Sequence, residues 1–163
     1  MNNVRELRNC FGRFATGVTV VTWFGDNGQR YGITVNSFTS VSLDPPLVLI
    51  SIDRKANSYN SLKGRSFVIN ILSKDQEVLA WQFAGREQQG LTVEWEDSSI
   101  GPKLKDALAT IECEPWEEYD GGDHALYIGR VQDFSYNNGE GLLFFQGKFL
   151  QTKEIENRVK EQV

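Results

Sequence analysis

Residues 32–53 read GITVNSFTSVSLDPPLVLISID, and the class of fold follows from this segment. Its first part is β-rich and carries many small polar side chains, and the Pro45-Pro46 pair then marks a turn. The apolar run Leu47–Ile52 is typical of a central strand. Upstream, the β-branched run Val18–Phe24 ends at the turn GDNG, and Arg30–Phe38 alternates enough to be its hairpin partner. The segment therefore predicts successive strands joined by turns.

The rest of the chain adds further strands and a few short helices. Helical spacing or capping signals predict helices over residues 4–14, 56–63, 74–84 and 103–109. Strands are predicted at 66–72, 110–119, 123–136 and 142–150, whereas residues 86–101 look polar and irregular. Because helices do not regularly separate the strands, an antiparallel barrel is favoured over a doubly wound parallel sheet. We expect one domain over residues 1–163, mainly β with inserted helices, with a charged tail at about 152–163 that is helical or frayed.

Composition excludes several classes of protein. The 163 residues include 17 basic and 22 acidic side chains, a net charge of −5, which argues against a nucleic-acid partner. No apolar stretch approaches membrane-spanning length and no signal peptide is recognised, so we expect no membrane partner and a cytoplasmic protein. Cys10 and Cys113 lie in no CxxC spacing, and two buried free thiols are expected, although a disulfide between them stays open.

Several familiar catalytic devices are missing from the sequence. His124 is the single histidine, and no cluster of Cys or carboxylate residues has ligand spacing around it, so no metal site is predicted. The glycines of Gly139–Gly141 precede a strand rather than a helix, which excludes a dinucleotide-binding fingerprint. Neither GxxxxGK[ST] nor GxSxG occurs.

Three segments nevertheless offer ligand chemistry. The small polar residues of 32–42 could form a shelf for a planar ligand with polar edges, or could be the solvent face of a structural strand. Lys55, Asn57 and Ser58, with the N–H groups of a helix N-terminus, could hold a phosphate, or could be an ordinary cap with solvated neighbours. His124, in the turn GGDH, could bind a carboxamide or supply a proton, or could be a surface residue.

The ordered set of motifs resembles the short-chain flavin reductase family, the reductase components of two-component flavin-dependent aromatic monooxygenases. The resemblance covers residues 11–149 and rests on FATGVTVVT (14–22), GITVNSFTSVSLDPPLVLISID (32–53), FVINIL (67–72), LAWQFAG (79–85), ALATIEC (107–113), GDHALYIGRV (122–131) and FFQGKF (144–149). It implies a split β-barrel of the FMN-binding type, a homodimer, FMN or FAD as flavin, and hydride transfer from a nicotinamide cofactor. Reduced flavin would then pass to a partner monooxygenase.

The resemblance also assigns expected roles to individual residues. The isoalloxazine would be lined by Thr34, Val35, Asn36 and Ser37, and the ribityl and phosphate by Ser51, Ile52, Asp53, Lys55, Asn57 and Ser58. Phe83, Ala84 and Gly85 would close the other side of the flavin pocket. His124 matches a nicotinamide-binding histidine, and Phe149 stands where many relatives have Tyr, so stacking is retained there without a hydroxyl. No Arg pair for a 2′-phosphate is evident, so NADH is expected rather than NADPH, while FMN and FAD stay open.

Other functions are compatible with the same residues. A flavoprotein that holds FMN tightly, such as an oxidase or a nitroreductase-like enzyme, is the main alternative among enzymes. A non-enzymatic flavin carrier or redox-sensor module would need no nicotinamide site, and a GDH turn around His124 favours the enzyme over it. A domain without ligand fits poorly with the polar shelf and the phosphate turn.

Overall fold

The computed structural model of the protein describes residues 3–153. The helices are α1 (Val4–Phe11), α2 (Tyr59–Leu62) and α3 (Glu77–Gln82), the last preceded by a 3-10 turn at Lys74–Gln76. The strands are β1 (Thr16–Gly17), β2 (Thr19–Phe24), β3 (Arg30–Val35), β4 (Thr39–Leu43), β5 (Pro46–Asp53), β6 (Phe67–Ile71), β7 (Trp95–Asp97), β8 (Pro102–Leu104), β9 (Ala109–Gly121), β10 (His124–Tyr136), β11 (Leu142–Phe145) and β12 (Lys148–Gln151). The predicted mainly β class with inserted helices is confirmed.

Seven of the strands form one antiparallel sheet in the order β3-β2-β6-β9-β10-β5-β4. A second sheet, in the order β1-β11-β12, packs beside it, and β7 pairs with β8. The predicted hairpin of β2 and β3 is confirmed, with Thr19 opposite Val35 and Phe24 opposite Arg30. Its turn contains Gly28 at a positive φ of 76°, a conformation that glycine adopts without steric cost.

The connection between β3 and β4 shows that the seven-stranded sheet is strongly curved. These strands are the two edges of the sheet, yet only residues 36–38 separate them in the sequence. In a flat sheet of seven strands spaced as usual, the edges would lie about 29 Å apart. The four residue steps from Val35 to Thr39 span at most about 14 Å. The sheet therefore curls until its edges approach each other, and residues 36–38 lie at the seam.

The interior consists of two apolar clusters on either side of the curved sheet. The larger one includes Trp23, Ile50, Ile52 and Phe67, all 2% exposed or less. The smaller one lies under α3 and includes Val18, Val20, Leu72, Ala80, Leu104 and Leu142. Between them, Asn70 is fully buried with its polar atoms satisfied: its amide donates to Val20 O and Thr22 Oγ1, and its Oδ1 accepts the Leu104 N–H at 2.8 Å.

The bond to Asn70 explains one wrong prediction. The expected helix over 103–109 does not form: its first two residues belong to strand β8, which pairs with β7 in the stretch predicted to be irregular. Residues 105–108 are turn and coil, and residue 109 begins β9. Leu104 is 2% exposed, and its N–H is bound by Asn70 across the sheet. A long-range contact with a buried side chain thus overrides the local helical signal, a competition that sequence periodicity does not report.

Other boundaries differ in smaller ways. Helix α1 ends at Phe11 instead of residue 14, and no residue in it is buried. The run 142–150 is two strands, because Gln146 and Gly147 adopt positive φ angles and make a tight turn. The expected helix over 74–84 has the predicted capping box at Ser73 and Gln76, but its first turn is 3-10.

The two cysteines differ from each other. Both are free, but Cys10 is exposed and Cys113 is buried, so the expectation of two buried thiols is wrong for Cys10.

Within residues 3–153 we find no cluster of side chains suited to hold a metal ion. None of the helices in the described range is long and apolar enough to span a bilayer. Most of the predicted charged tail, from position 154 onward, lies outside the residues that the structure describes.

Candidate functional site

The pairing of β5 with β10 brings together two predicted ligand segments that are 71 residues apart in the sequence, from Asp53 to His124. His124 lies opposite Asp53, Ala125 opposite Ile52, and Leu126 opposite Ser51. Gly122, at φ 74°, makes the turn that precedes β10 and places His124 at its first position. The candidate nicotinamide residue therefore lies beside the candidate phosphate segment.

The seam of the sheet, at residues 36–38, is connected to strand β5 through Ser37. The Ser37 hydroxyl donates to the carbonyl of Ser51 at 2.8 Å and accepts the N–H of Ser51 at 3.0 Å. Because both groups belong to one residue of β5, the hydroxyl substitutes for a strand partner at that position. Asn36, which precedes it, is exposed. The polar shelf predicted from the sequence is thus anchored to β5 with an exposed amide beside it.

Arg54 fastens the turn after β5 to the β9–β10 hairpin. Its backbone N–H donates to Asp123 O at 2.9 Å, and its guanidinium donates to Gly122 O at 3.1 Å and to Asp120 at 2.6 Å. A fourth bond runs to the hydroxyl of Tyr59 at 2.9 Å. Sequence reasoning treated Arg54 as a solvated neighbour of the turn, since its main partner is 66 residues away. No local pattern reports such a contact.

His124 is held by its neighbour and stays accessible. Its Nδ1 lies 2.7 Å from Asp123 Oδ1, and its side chain is 41% exposed. The hydrogen bond with His124, followed by the charge of the ring, lowers the pKa of Asp123 below its usual range. The carboxylate therefore stays ionised and orients the ring, which leaves Nε2 available for a ligand.

The segment after α3 is fixed to the start of the shelf. Thr34 donates its N–H to Phe83 O at 3.0 Å and its hydroxyl to Ala80 O at 2.7 Å. The Phe83 ring packs edge-on against Trp95, with centroids 5.9 Å apart, and lies directly over Gly32, where a Cβ would approach its Cδ1 to 2.6 Å. Phe83 is thus engaged in packing.

Five other residues of the predicted set divide in the same way between ligand access and packing. Ala84 and Gly85 are exposed next to Phe83. Ile52 is buried in the larger core cluster, so only its backbone can face a ligand, and Val35 is partly buried against that cluster. Phe149 lies in β12, edge-on to Trp81 at 4.8 Å and 5.5 Å from Phe144.

The turn from residue 53 to 58 does not offer the helix N-terminus that was expected to hold a phosphate. Helix α2 has a single turn and Ser58 makes no side-chain cap, so a helix dipole cannot carry a phosphate site here. The Asp53 carboxylate accepts the Lys55 N–H at 2.8 Å. Within residues 3–153, the side chains of Lys55 and Asn57 are exposed and form no ion pair or hydrogen bond. A phosphate at this turn would be bound by these two side chains.

A cavity of about 1170 Å³ lies beside the seam rather than at His124. Of the predicted site residues, only Asn36 and Ser37 line it. The remaining walls come from α1 and the residues after it, and from the β11–β12 hairpin, including Arg8, Arg13 and Lys148. Sequence reasoning missed these three cations, because their elements are far apart in the chain and no motif contains all three.

Comparison with known proteins gives a consistent result. Residues 11–153 match the model of the flavin reductase like domain. The chain is 40% identical over 152 residues to the reductase component of the flavin-dependent trigonelline monooxygenase of Acinetobacter baylyi, an alignment that covers 91% of this chain. It spans about half the length of that relative, 49%.

Two solved structures are similar in fold and sequence. The flavin reductase PheA2 superposes with a TM-score of 0.89 at 44% identity, covering 93% of this chain and 99% of that one. The NADH:FAD oxidoreductase SgcE6 of Streptomyces globisporus, in complex with NAD and FAD fragments, gives a TM-score of 0.85 at 38% identity, covering 93% and 94% of the two chains.

Proposed function

The chain belongs to the flavin reductase like family, and from that premise we propose that it transfers hydride from NADH to a flavin, FMN or FAD. The observation that carries this proposal is the register of β5 and β10, which sets His124 opposite Asp53, two residues along β5 from Ser51, where Ser37 anchors the polar shelf. A flavin supplies the hydride-accepting ring, and the chain supplies orientation, since positioning two rings in contact removes much of the barrier to such a transfer.

The residues present fit a flavin. The exposed amide of Asn36 and the backbone around Ser37 offer polar groups for the edge of a ring, and the exposed Ala84 and Gly85 leave room for a close approach. Lys55 and Asn57 offer a cation and an amide for a phosphate near Ser51 and Asp53. The shelf is held in place, because Thr34 bonds it to α3 and Ser37 bonds it to β5.

His124 is the proposed contact to the nicotinamide. Its ring is partly exposed, and Asp123 orients it at the end of β10 beside Asp53. In this role it binds the carboxamide and needs to move no proton, because hydride transfer between two rings requires no protein base. Phe149 packs on Trp81 and Phe144, and in this position it supports the hairpin beside the site.

Two partners complete the proposal. Reduced flavin passes to a monooxygenase, a proposal supported by the name of the Acinetobacter relative, the reductase component of a flavin-dependent monooxygenase. The chain forms a homodimer, which is supported by large apolar side chains that a lone chain leaves open to solvent: Leu43 is 94% exposed, and Phe134 and Tyr136 are 65% and 75% exposed. Light scattering coupled to gel filtration would give the mass in solution, and a monomer at micromolar concentration would contradict it.

The test of the activity is oxidation of NADH by the purified protein, followed by the loss of reduced-nicotinamide absorbance. The assay is run without flavin, with FMN and with FAD, and repeated with NADPH. Turnover that requires added flavin is the expected result. Binding of flavin without any NADH oxidation would instead support a carrier or sensor, and the absence of binding to either flavin would overturn the proposal.

A further inference from the structure

We propose that Asn138 is a site of spontaneous deamidation, at which the side-chain amide becomes a carboxylate and part of the product carries an isoaspartyl linkage. The sequence contains two Asn–Gly pairs, Asn27–Gly28 and Asn138–Gly139. The structure distinguishes them by the hydrogen bonding of the glycine nitrogen. The inference is independent of the proposed function, because it concerns the turn between β10 and β11 and no cofactor takes part.

The reaction needs a free main-chain nitrogen after the asparagine. That nitrogen loses its proton to solvent and attacks the side-chain carbonyl carbon Cγ, so that a new C–N bond closes a cyclic imide. The amide nitrogen takes up a proton and leaves as ammonia. Water then adds to either carbonyl of the ring and reopens it as aspartate or isoaspartate, without any change of oxidation state. Glycine favours the attack, because it has no Cβ to crowd the approach of its nitrogen.

The first pair is protected by the turn between β2 and β3. The Gly28 N–H donates to Gly25 O at 3.1 Å, and the Gly25 N–H donates to Gln29 O at 2.8 Å. The N–H of Asn27 itself donates to Gln29 Oε1 at 3.1 Å. The nitrogen of Gly28 must therefore give up a hydrogen bond before it can attack, which disfavours ring closure at this pair.

The second pair has no such protection. Asn138 and Gly139 are both exposed and lie outside the two strands that they connect. In the described range, residues 3–153, the N–H of Gly139 donates to no backbone carbonyl. Gly139 has a φ of 153°, a conformation that residues with a Cβ rarely adopt. The turn thus calls for the same glycine that makes Asn138 reactive.

The consequence depends on how the two ends of this turn are held. Asn137 donates its N–H to Leu108 O at 2.8 Å and its side-chain amide to Ala107 O at 3.0 Å. At the other end, Glu140 O accepts the Lys74 N–H at 2.9 Å. An isoaspartyl linkage routes the main chain through the side-chain methylene and so lengthens it between these bonds. The longer turn has to displace one of its ends, and the modified protein should be less stable.

The experiment incubates the purified full chain at mildly alkaline pH and follows both pairs by peptide mapping with mass spectrometry. Asn27 is the internal control in the same sample. We expect Asn138 to react at least about fivefold faster than Asn27, since the hydrogen bond at Gly28 is worth about that factor. In urea, where the turn is lost, the two pairs should react at similar rates. Native rates that are equal at the two pairs would overturn the proposal.

Variants separate the modification from general ageing of the protein. Asn138→Gln should stop the reaction at this turn, because a glutamine needs a larger ring, and its melting temperature should then hold during incubation. Asn27→Gln is the matched control and should lose stability as wild type does. Freshly prepared Asn138→Asp carries the charge without the longer main chain, so aged wild type should melt below it. If Asn138→Gln loses stability as fast as wild type, deamidation at Asn138 does not have the proposed consequence.

Discussion

The hydroxyl of Ser37 forms two hydrogen bonds with the backbone of Ser51, donating to its carbonyl at 2.8 Å and accepting its N–H at 3.0 Å. These bonds link the seam of the curved sheet to β5. The next residue of β5, Ile52, pairs with Ala125 of the strand that begins at His124. The Ser37 side chain thus helps to set the position of the polar shelf relative to the strand that pairs with His124.

Replacing Ser37 by Ala should therefore affect both stability and flavin binding. We expect a loss of about 1–2 kcal/mol in the free energy of unfolding, because a partly buried N–H and carbonyl lose their partner. Urea denaturation measures this, and flavin fluorescence titration should show weaker binding. Ser40→Ala is the control, since Ser40 is exposed on β4 and its hydroxyl makes no hydrogen bond within residues 3–153. Equal effects of the two variants would contradict the role of the bond.

His124→Ala should raise the KM for NADH by about tenfold and leave the dissociation constant for flavin within about twofold, because one hydrogen bond to the nicotinamide is lost. Steady-state kinetics and flavin titration provide the two measurements. Asp123→Asn should have a smaller effect on KM, since it removes the partner that orients the ring and leaves the ring in place. A variant of His124 that loses flavin yet keeps normal hydride transfer would refute the assignment.

Arg54→Ala should weaken flavin binding and raise the KM for NADH together, because Arg54 holds the turn after β5 against the hairpin that carries His124. Arg65→Ala removes a comparable surface ion pair, with Asp26, far from these residues, and is the matched control. Arg54→Lys should recover only part of the function, since one ammonium cannot reach Gly122, Asp120 and Tyr59 at once. An Arg54→Ala enzyme with kinetics like those of Arg65→Ala would contradict this role.

Gly32→Ala should destabilise the protein by about 1–3 kcal/mol, because the new methyl would lie 2.6 Å from the Phe83 ring and force it to move. The exposed residues Ala84 and Gly85 follow that ring, so flavin binding should weaken as well. Gly141→Ala is the control, since its added Cβ meets Leu108 at an ordinary 3.7 Å. Thermal denaturation compares the two, and a neutral Gly32→Ala would show that Phe83 can repack freely.

The thiols should react very differently with a thiol reagent. Burial raises the pKa of the Cys113 thiol to about 12, well above its ordinary value, whereas Cys10 is exposed. One thiol should therefore titrate in the native protein and two after denaturation. Because the folded pKa lies above the unfolded one, the contribution of Cys113 to stability is complete below pH 9 and is lost as the pH rises toward 12. Two rapidly reacting thiols in the native state would contradict the buried position of Cys113.

Local signals in the sequence predicted much of the fold. The hairpin of β2 and β3, the apolar strand β5, the long strands β9 and β10 and the capping box at Ser73 all follow from patterns within about ten residues. They are right because period-two alternation, turn residues and caps act over that range. The helix wrongly predicted over 103–109 marks the limit, since Asn70, which binds Leu104, is 34 residues away.

By itself, the sequence determined the mainly β class, the identity of the chemistry-bearing segments and the resemblance to a family that the comparisons confirm. Only the tertiary structure decided how these segments meet: His124 opposite Asp53, Ser37 on Ser51, Arg54 on Asp120, and three cations around one cavity. The physical reason is that strand register and sheet curvature are set by packing between residues far apart in the chain. Motifs report which groups are available, and long-range pairing determines which of them share a site.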